Sequence, residues 1–103
     1  MDKNYKIVVF VPTSHAEVVR QAMGEAGAGR IGNYSFCSFS IPGIGRFKPE
    51  EGAHPTIGSI GKFEEVEEER VEVVCEGKVL KEVIEAIKKF HPYEEVAYDV
   101  YAL

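Results

Sequence analysis

Apolar residues follow two different periods along this chain, and these periods predict an alternation of strands and helices. Residues 5–11 are almost continuously β-branched or aromatic, which predicts a strand that is central in its sheet, and Pro12 ends it. Residues 14–26 carry apolar positions at helical spacing, and Gly27 stands where a left-handed C-terminal cap is needed. The apolar stripe of this helix holds Val18 or Val19, Ala22, Met23 and Ala26.

Ser14 and Glu17 mark the predicted start of this helix. Their spacing matches a capping box, in which the serine hydroxyl accepts from the Glu17 amide and the Glu17 carboxylate reaches back. We therefore expect Ser14 to be the N-cap residue.

Glycine and proline interrupt the middle of the chain. Residues 34–41 predict a second strand, which Pro42 and Gly43 should break. Residues 44–61 have no helical period and predict a long irregular connection, a feature that is often functional. Residues 62–75 predict a long strand whose first half projects beyond the core or lies at an edge. Its core-facing side chains are Val71, Val73 and Cys75.

The last third of the chain predicts a second helix and a final strand. Residues 77–90 follow the pattern of an amphipathic helix, which ends where His91 precedes Pro92. Its apolar positions are Val79, Leu80, Val83, Ile84, Ile87 and Phe90. Residues 96–101 predict the last strand.

The resulting element order is βαββαβ, and residues 1–103 predict a single domain. Two βαβ-like halves give an antiparallel sheet with two helices on one face, which is the ferredoxin-like arrangement of the α+β class. We expect the first and third strands to be central, in agreement with their apolar content.

Composition limits the class of protein further. With 103 residues, of which 45% are hydrophobic, the chain can form one small core, and disorder is not expected. No apolar run approaches the roughly 20 residues of a membrane-spanning helix, and residues 1–5 lack the layout of a signal peptide. We therefore expect a cytoplasmic protein with no membrane partner, whose cysteines, Cys37 and Cys75, are free thiols.

The net charge of −5 is confined to one acidic stretch. Residues 64–72 hold six glutamates and one arginine, whereas the rest of the chain holds 11 acids and 11 bases. This balance disfavours nucleic-acid binding, which needs clustered lysine and arginine. A solvated strand edge or a contact with another subunit is favoured over cation capture, because an extended strand divides these carboxylates between two faces.

The segment 46–58 holds the best candidates for a ligand site. It combines two cations, a histidine, a hydroxyl and glycine amides on a backbone stiffened by prolines, which suits a small anionic or polar ligand. The alternatives are that proline and glycine only shape the connection, or that the segment packs on a neighbouring subunit. The predicted ligand-binding residues are Arg46, Phe47, Lys48, Pro49, Gly52, His54, Pro55 and Gly58.

Metal ligation is less well supported. The histidines and cysteines show neither C-x-x-C nor H-x-x-x-H spacing. His91 stands at a helix C-terminus, where the helix dipole favours its protonated form, and a structural role is favoured for it. Cys75, and with it Cys37, is expected to be a small buried apolar residue.

Motifs of common enzyme classes are missing from the sequence. There is no G-x-S-x-G nucleophile motif and no Walker loop. Residues 27–32 fit G-x-G-x-x-G, but this stretch follows a predicted helix instead of opening one. A helix cap with a turn is therefore favoured over a nucleotide-binding loop.

Four ordered motifs together resemble the inserted middle domain of the NGG-interacting-factor-three-like family, whose full-length members are also called GTP cyclohydrolase type 2 homologues. They are G-N-Y-S-F-C-S-F at 32–39, F-K-P-x-x-G-A-x-P-x-I-G at 47–58, E-V-E-E-x-R-x-E at 65–72 and H-P-Y-E-E-V-A-Y-D at 91–99. The resemblance implies a fold similar to the copper-tolerance protein CutA and to the PII signalling proteins, both trimeric. It also adds Tyr93 and Glu94, beside His91, to the candidate ligand site.

In full-length members of that family, two flanking domains carry the dinuclear metal ligands. We expect this chain to lack those domains, so neither a metal ligand nor a hydrolase activity carries over. The leading hypothesis is a non-enzymatic homo-oligomer, a trimer, that binds a small ligand or a metal ion in clefts between subunits. The one cofactor considered is a divalent metal ion.

Two alternatives stay open. The first is a protein that handles copper or zinc through His54, His91 or Cys37. The second is a small hydrolase of ferredoxin-like fold, comparable to acylphosphatases. That class needs an arginine in an anion-binding loop after the first strand, and residues 12–15 contain none.

Overall fold

A computed structural model describes residues 3–103. It contains four strands and two α-helices in the predicted order βαββαβ. They are β1 (Asn4–Pro12), α1 (Thr13–Glu25), β2 (Phe39–Phe47), β3 (Glu64–Glu76), α2 (Leu80–Phe90) and β4 (Tyr98–Ala102), with a 3-10 turn at Gly77–Val79. No helix in this part of the chain combines the length and the apolar character that crossing a membrane requires.

The four strands form one antiparallel sheet in the order β2-β3-β1-β4. The prediction that the first and third strands are central is confirmed. Because β3 is longer than its neighbour, β1 pairs with residues 68–76 of β3, whereas residues 64–67 pair within the described sheet with β2 alone. The start of β3 and the end of β2 therefore extend past β1 as a two-stranded ribbon.

Both helices pack on one face of the sheet and share one apolar core. Alternate residues of β1 and β3 enter it, and α1 contributes Val19 rather than Val18, which is 48% exposed. The α+β, ferredoxin-like arrangement is therefore confirmed, as are the core positions of β3. The core residues from the strands and helices are Ile7, Val9, Val11, Ala16, Val19, Met23, Val71, Val73, Cys75, Val83 and Ile87.

The position of β2 differs from the prediction. We expected residues 34–41 with a break at Pro42, but the strand runs from residue 39 to residue 47. The reason is its place at the edge of the sheet, where it pairs with β3 on one side and a missing backbone N–H is tolerated. Arg46 and Phe47 consequently lie on a strand, and the irregular connection begins at Lys48 instead of Ile44.

The predicted capping box is wrong. Helix α1 begins at Thr13 with Pro12 as its N-cap, and no side chain caps it. Ser14 therefore lies inside the first turn, where its hydroxyl cannot reach the free amides ahead of it, and its Oγ lies 2.8 Å from Nδ1 of His15.

The C-terminus of α1 follows the prediction. Gly27 has a φ of +111°, and its N–H donates to the carbonyl oxygen of Gly24. The N–H of Ala28 donates to the carbonyl oxygen of Met23. This pair of bonds is a Schellman motif, which accounts for the first glycine of the G-x-G-x-x-G match as a helix cap.

Candidate functional site

A cavity of about 270 Å³ lies where three segments meet. They are the end of β2, the connection 48–63, which we call the loop, and the segment 91–97 after α2, which we call the corner. We refer to the space between them as the loop–corner cavity. Six of the predicted ligand-binding residues line it: Arg46, Phe47, Pro49, Pro55, Tyr93 and Glu94.

Hydrogen bonds and ring packing hold the loop against the corner. The Thr56 hydroxyl donates to the carbonyl oxygen of Pro92 across 2.7 Å, and the His54 N–H donates to the Glu94 carboxylate across 2.8 Å. The rings of Phe47 and Tyr93 meet edge to face, with centroids 5.8 Å apart. The cavity therefore has walls that are defined within one chain.

His91 fixes the corner to the sheet. The residue is buried, and its Nε2 donates to the carbonyl oxygen of Phe10 across 2.7 Å while Nδ1 accepts from the Tyr93 N–H across 3.1 Å. The bond accepted by Nδ1 requires the neutral ring, and burial lowers the pKa of His91. The protonated form that the position at a helix C-terminus would favour is therefore disfavoured by burial, and the two bonds agree with the structural role expected for His91.

Tyr93 places an unusual polar atom in the wall of the cavity. Its hydroxyl is buried and has no hydrogen-bond partner among residues 3–103. The Glu68 carboxylate faces it and acts on it through its charge and through a weak hydrogen-bonding contact, which lies outside the distance and angle of an ordinary hydrogen bond. Burial and the charge of Glu68 raise the pKa of Tyr93 to about 12, so the hydroxyl stays protonated at neutral pH.

Glu68 is the polar group that lies opposite this hydroxyl. It projects from β3 beside Gly45 of β2, where a Cβ would overlap its carboxylate. Burial raises the pKa of Glu68, an effect that the Tyr93 phenol opposes. Because Gly45 has no side chain, it leaves space for the half-buried carboxylate of Glu68.

The two cations of segment 46–58, Arg46 and Lys48, form ion pairs with carboxylates that do not line the cavity. The Nε of Arg46 donates to the Glu65 carboxylate across 2.7 Å on the exposed side of the ribbon. Lys48 lies 3.4 Å from the Glu50 carboxylate and over the ring of Phe63, and it does not line the cavity. Arg46 is the one lining residue with a positive charge in the described chain.

Five predicted ligand-binding residues lie outside the lining. Gly52 and Gly58 have positive φ angles and shape the loop, which agrees with the alternative stated for them. His54 contributes its backbone N–H to Glu94, and the ring of His91 is used within the chain. The five residues are Lys48, Gly52, His54, Gly58 and His91.

The sequence reasoning missed several lining residues on the strands and in the corner. Phe10 lies on the sheet face opposite the helices, since its neighbours Val9 and Val11 point into the core, and Glu68 lies on the same face because Val71, three residues later, points into the core. The alternation of β3, with Val71, Val73 and Cys75 facing the core, was a signal that could have assigned Glu68 to the opposite face. The missed lining residues are Phe10, Ala53, Thr56, Ile57, Glu68, Glu95 and Ala97.

Metal ligands do not converge in the described structure. Between residues 3 and 103, no group of three histidine, cysteine, aspartate or glutamate side chains could hold a metal ion. Cys75 is buried in the core and Cys37 is partly exposed, and both are free thiols. The candidate ligands His54, His91 and Cys37 therefore form no common site.

Comparison with known proteins gives close relatives along nearly the whole chain. It is 57% identical over 100 residues to a GTP cyclohydrolase 1 type 2 homolog of Halalkalibacterium halodurans, covering 96% of this chain and 27% of that protein. It is 56% identical over 96 residues to the Bacillus subtilis protein of the same name, covering 93% and 26%. The chain thus spans about a quarter of the length of these relatives. No model of a known protein family matches it.

Solved structures agree with these relatives. A Bacillus cereus protein related to NIF3 superposes with a TM-score of 0.85 at 52% identity, covering 99% of this chain and 26% of that one. The divalent cation tolerance protein CutA of Archaeoglobus fulgidus gives 0.70 at 20% identity, covering 97% and 83%. The GlnK–ATP complex of B. subtilis gives 0.53 at 18% identity, covering 98% and 82%. The last two show the fold alone.

The predicted resemblance is confirmed by these findings. The matched region leaves about three quarters of each curated relative outside this chain. Nearly the whole of this chain is homologous to one segment of the NIF3-related GTP cyclohydrolase 1 type 2 homologues, and that segment has the PII/CutA-like fold.

Proposed function

We propose that this chain is a non-enzymatic, PII/CutA-like binding module, a homotrimer that holds a small ligand in the loop–corner cavity. The observation that carries the proposal is the buried Tyr93 hydroxyl, which has no partner among the described residues although it lies in the cavity wall. A buried polar group without a partner costs free energy, so native proteins rarely keep one. A bound ligand would supply the missing hydrogen bond.

The size and chemistry of the cavity support a small ligand. Ligand pockets are concave and mostly apolar, with a few polar groups that orient the ligand, and they measure roughly 300–1,000 Å³. At about 270 Å³ this cavity is close to the lower end of that range. Its walls are apolar at Phe47, Pro49 and Ile57 and polar at Tyr93 and Glu68, so a compact molecule with one polar end fits best.

Binding is favoured over turnover by the state of the polar groups. The Thr56 hydroxyl donates its proton to the Pro92 carbonyl oxygen, so it is held as a hydrogen-bond donor within the chain and is not paired with a base as a nucleophile would be. No serine or cysteine of residues 3–103 lines the cavity. Activities of the full-length relatives belong to proteins about four times as long, so we do not propose them for this chain.

The exposed edge of the sheet supports the trimer. Within the sheet formed by residues 3–103, strand β2 pairs with β3 alone, and it exposes Phe39, Ile41 and Ile44. An edge strand with exposed apolar side chains pairs readily with another chain, and the resemblance to CutA and PII proteins points to three copies. Since Arg46 and Phe47 belong both to this edge and to the cavity wall, a neighbouring subunit would lie beside the ligand.

The cytoplasm is the compartment that we propose. Cys37 and Cys75 are free thiols, as is usual where glutathione and thioredoxin keep proteins reduced. With a net charge of −5, the chain is not expected to bind nucleic acid.

A fragment screen with amide chemical shifts as readout tests the ligand site. We expect a set of acids, amines and neutral aromatics to contain members that shift the amides of Thr56, Tyr93 and Ala97. Tyr93→Phe, which removes the hydroxyl alone, should weaken the binding of these fragments. Tyr101→Phe on β4 should leave their binding unchanged, because Tyr101 is not among the lining residues. If no class of fragment shifts the cavity amides, the proposal is wrong.

A further inference from the structure

We infer that the loop–corner cavity binds a small organic cation, a compact molecule bearing an amine or guanidine group, an inference that rests on the proposed ligand site. The lining contains three carboxylates, Glu68, Glu94 and Glu95, and one cation, Arg46. Arg46 already pairs with Glu65, which lies outside the lining. The space inside the walls therefore carries an excess of negative charge.

Glu68 is the group that would anchor the cation. Its side chain is half-buried, and no lysine, arginine or histidine among residues 3–103 forms an ion pair with it. Removing a carboxylate from water is costly unless an opposite charge compensates for it. A ligand ammonium beside Glu68 and Tyr93 could donate to both side-chain oxygens, which would compensate the charge of the carboxylate and give the hydroxyl oxygen a donor, while the phenol proton faces Glu68.

Aromatic rings around the carboxylate favour the same class of ligand. Phe10, Phe47 and Tyr93 all line the cavity, and ring faces attract cations, most strongly when water is excluded. Phe10 already shows this preference, since the Arg70 guanidinium lies 5.7 Å from its ring centroid. Arg70 is not a lining residue and pairs with Glu72, so it does not neutralise the cavity.

An anion, the ligand expected from the sequence, fits these walls less well. That expectation depended on Arg46 and Lys48, and both now have carboxylate partners at 2.7 and 3.4 Å. An entering carboxylate or phosphate would have to displace Glu65 from Arg46 and would still face Glu68 without a counter-charge. Like charges at short range in a partly dry site raise the free energy of the complex.

Three probes of nearly equal shape separate these ligand classes. Benzylamine is a cation at pH 7, benzoate an anion and benzyl alcohol neutral, and each can be titrated into the chain while amide chemical shifts are recorded. We expect benzylamine to bind at the cavity at least about tenfold more tightly than benzoate, in line with a charge-assisted hydrogen bond. Its affinity should fall as salt is raised.

Glu68→Gln keeps the side-chain shape and removes the charge, so it should lower the affinity for benzylamine at least about fivefold. Glu85→Gln on the exposed face of α2 makes the same change of charge away from the cavity and should leave the affinity within about twofold. The salt dependence of the unmodified chain gives a reading that does not depend on the folding of either variant.

The outcomes separate the inference from the ligand site on which it rests. If benzoate or benzyl alcohol shifts the cavity amides as strongly as benzylamine does, the inference fails while the proposed ligand site stands. Equal losses for Glu68→Gln and Glu85→Gln also overturn the inference, because binding would then follow net charge. If none of the three probes, and no fragment of any class, shifts those amides, the ligand site fails as well.

Discussion

The backbone N–H of Tyr93 donates a hydrogen bond to Nδ1 of His91 across 3.1 Å, so a neutral imidazole holds the residue whose hydroxyl lies in the cavity wall. The other nitrogen of that ring donates to the carbonyl oxygen of Phe10 on β1. If Nδ1 were protonated, its N–H and the Tyr93 N–H would face each other as two donors, and the hydrogen bond between them would be lost. The geometry of the cavity is thereby tied to the charge of one buried ring.

The pH dependence of stability follows from the lowered pKa of His91. An unfolded histidine titrates near a pKa of about 6.5. With the folded pKa below that value, the contribution of His91 is fully present above about pH 6.5 and is lost as the pH falls through the folded pKa. Urea unfolding between pH 8 and pH 5 should show this loss.

Two variants isolate the contribution of His91. His91→Asn should remove most of the fall in unfolding free energy between pH 6.5 and pH 5, at a cost of about 1–3 kcal/mol at neutral pH from unpaired backbone groups. The exposed His54→Asn should keep the fall, because its ring makes no hydrogen bond in the described chain. A fall of equal size in His91→Asn would show that other groups cause it.

Gly45 offers a test of the space that Glu68 occupies. A methyl group there would overlap the carboxylate, so Gly45→Ala should displace Glu68 and weaken benzylamine binding at least about fivefold. Gly43→Ala, two residues earlier on β2, meets no atom within 4 Å and should bind benzylamine normally. Equal binding by the two variants would mean that the position of the Glu68 carboxylate does not matter.

Ile41 tests the proposed trimer. It is 46% exposed on the edge strand, and Ile41→Glu should place a charge in the subunit contact and lower the mass measured by light scattering from three times 11.5 kDa to 11.5 kDa. Val18, which is 48% exposed on α1, is the matched control, and Val18→Glu should leave the trimer intact. A chain that is monomeric without substitution would exclude the trimer outright.

The two cysteines should differ in reactivity. Cys75 lies in the core, and burial raises the pKa of its thiol, so it should react with a thiol reagent at pH 8 only after unfolding. Cys37 is partly exposed and should account for one fast thiol per chain. Cys37→Ser should abolish the fast phase. Persistence of a fast phase in that variant would place Cys75 within reach of solvent.

Local periodicity is the part of the sequence that predicted the fold well. The alternation of Val71, Val73 and Cys75 and the helical spacing of Val83 and Ile87 assigned core faces correctly, because each signal depends on near neighbours in the chain. The extent of β2 could not be predicted in this way. Pro42 is compatible with a strand only when that strand is at an edge, and strand order is a property of the whole sheet.

The candidate site was predicted only in part, because local sequence signals identify its loops but not the strands that complete it. Composition and motif marked the loop and the corner, and Arg46, Phe47, Tyr93 and Glu94 do line the cavity. Glu68 was grouped with the acidic stretch, because only the pairing of β3 with β2 and β1 brings it beside Gly45 and opposite Tyr93. The charge of the cavity, and with it the expected ligand class, depends on that long-range arrangement.

Pro42 has a further consequence for self-association. Prolines on edge strands turn their nitrogen toward solvent, so the outward row of N–H donors on β2 is interrupted near its middle. A strand adding to this edge can form only short runs of backbone hydrogen bonds on either side of the gap. Growth by continuous β-pairing into fibres is therefore disfavoured, because each added strand would meet the same gap.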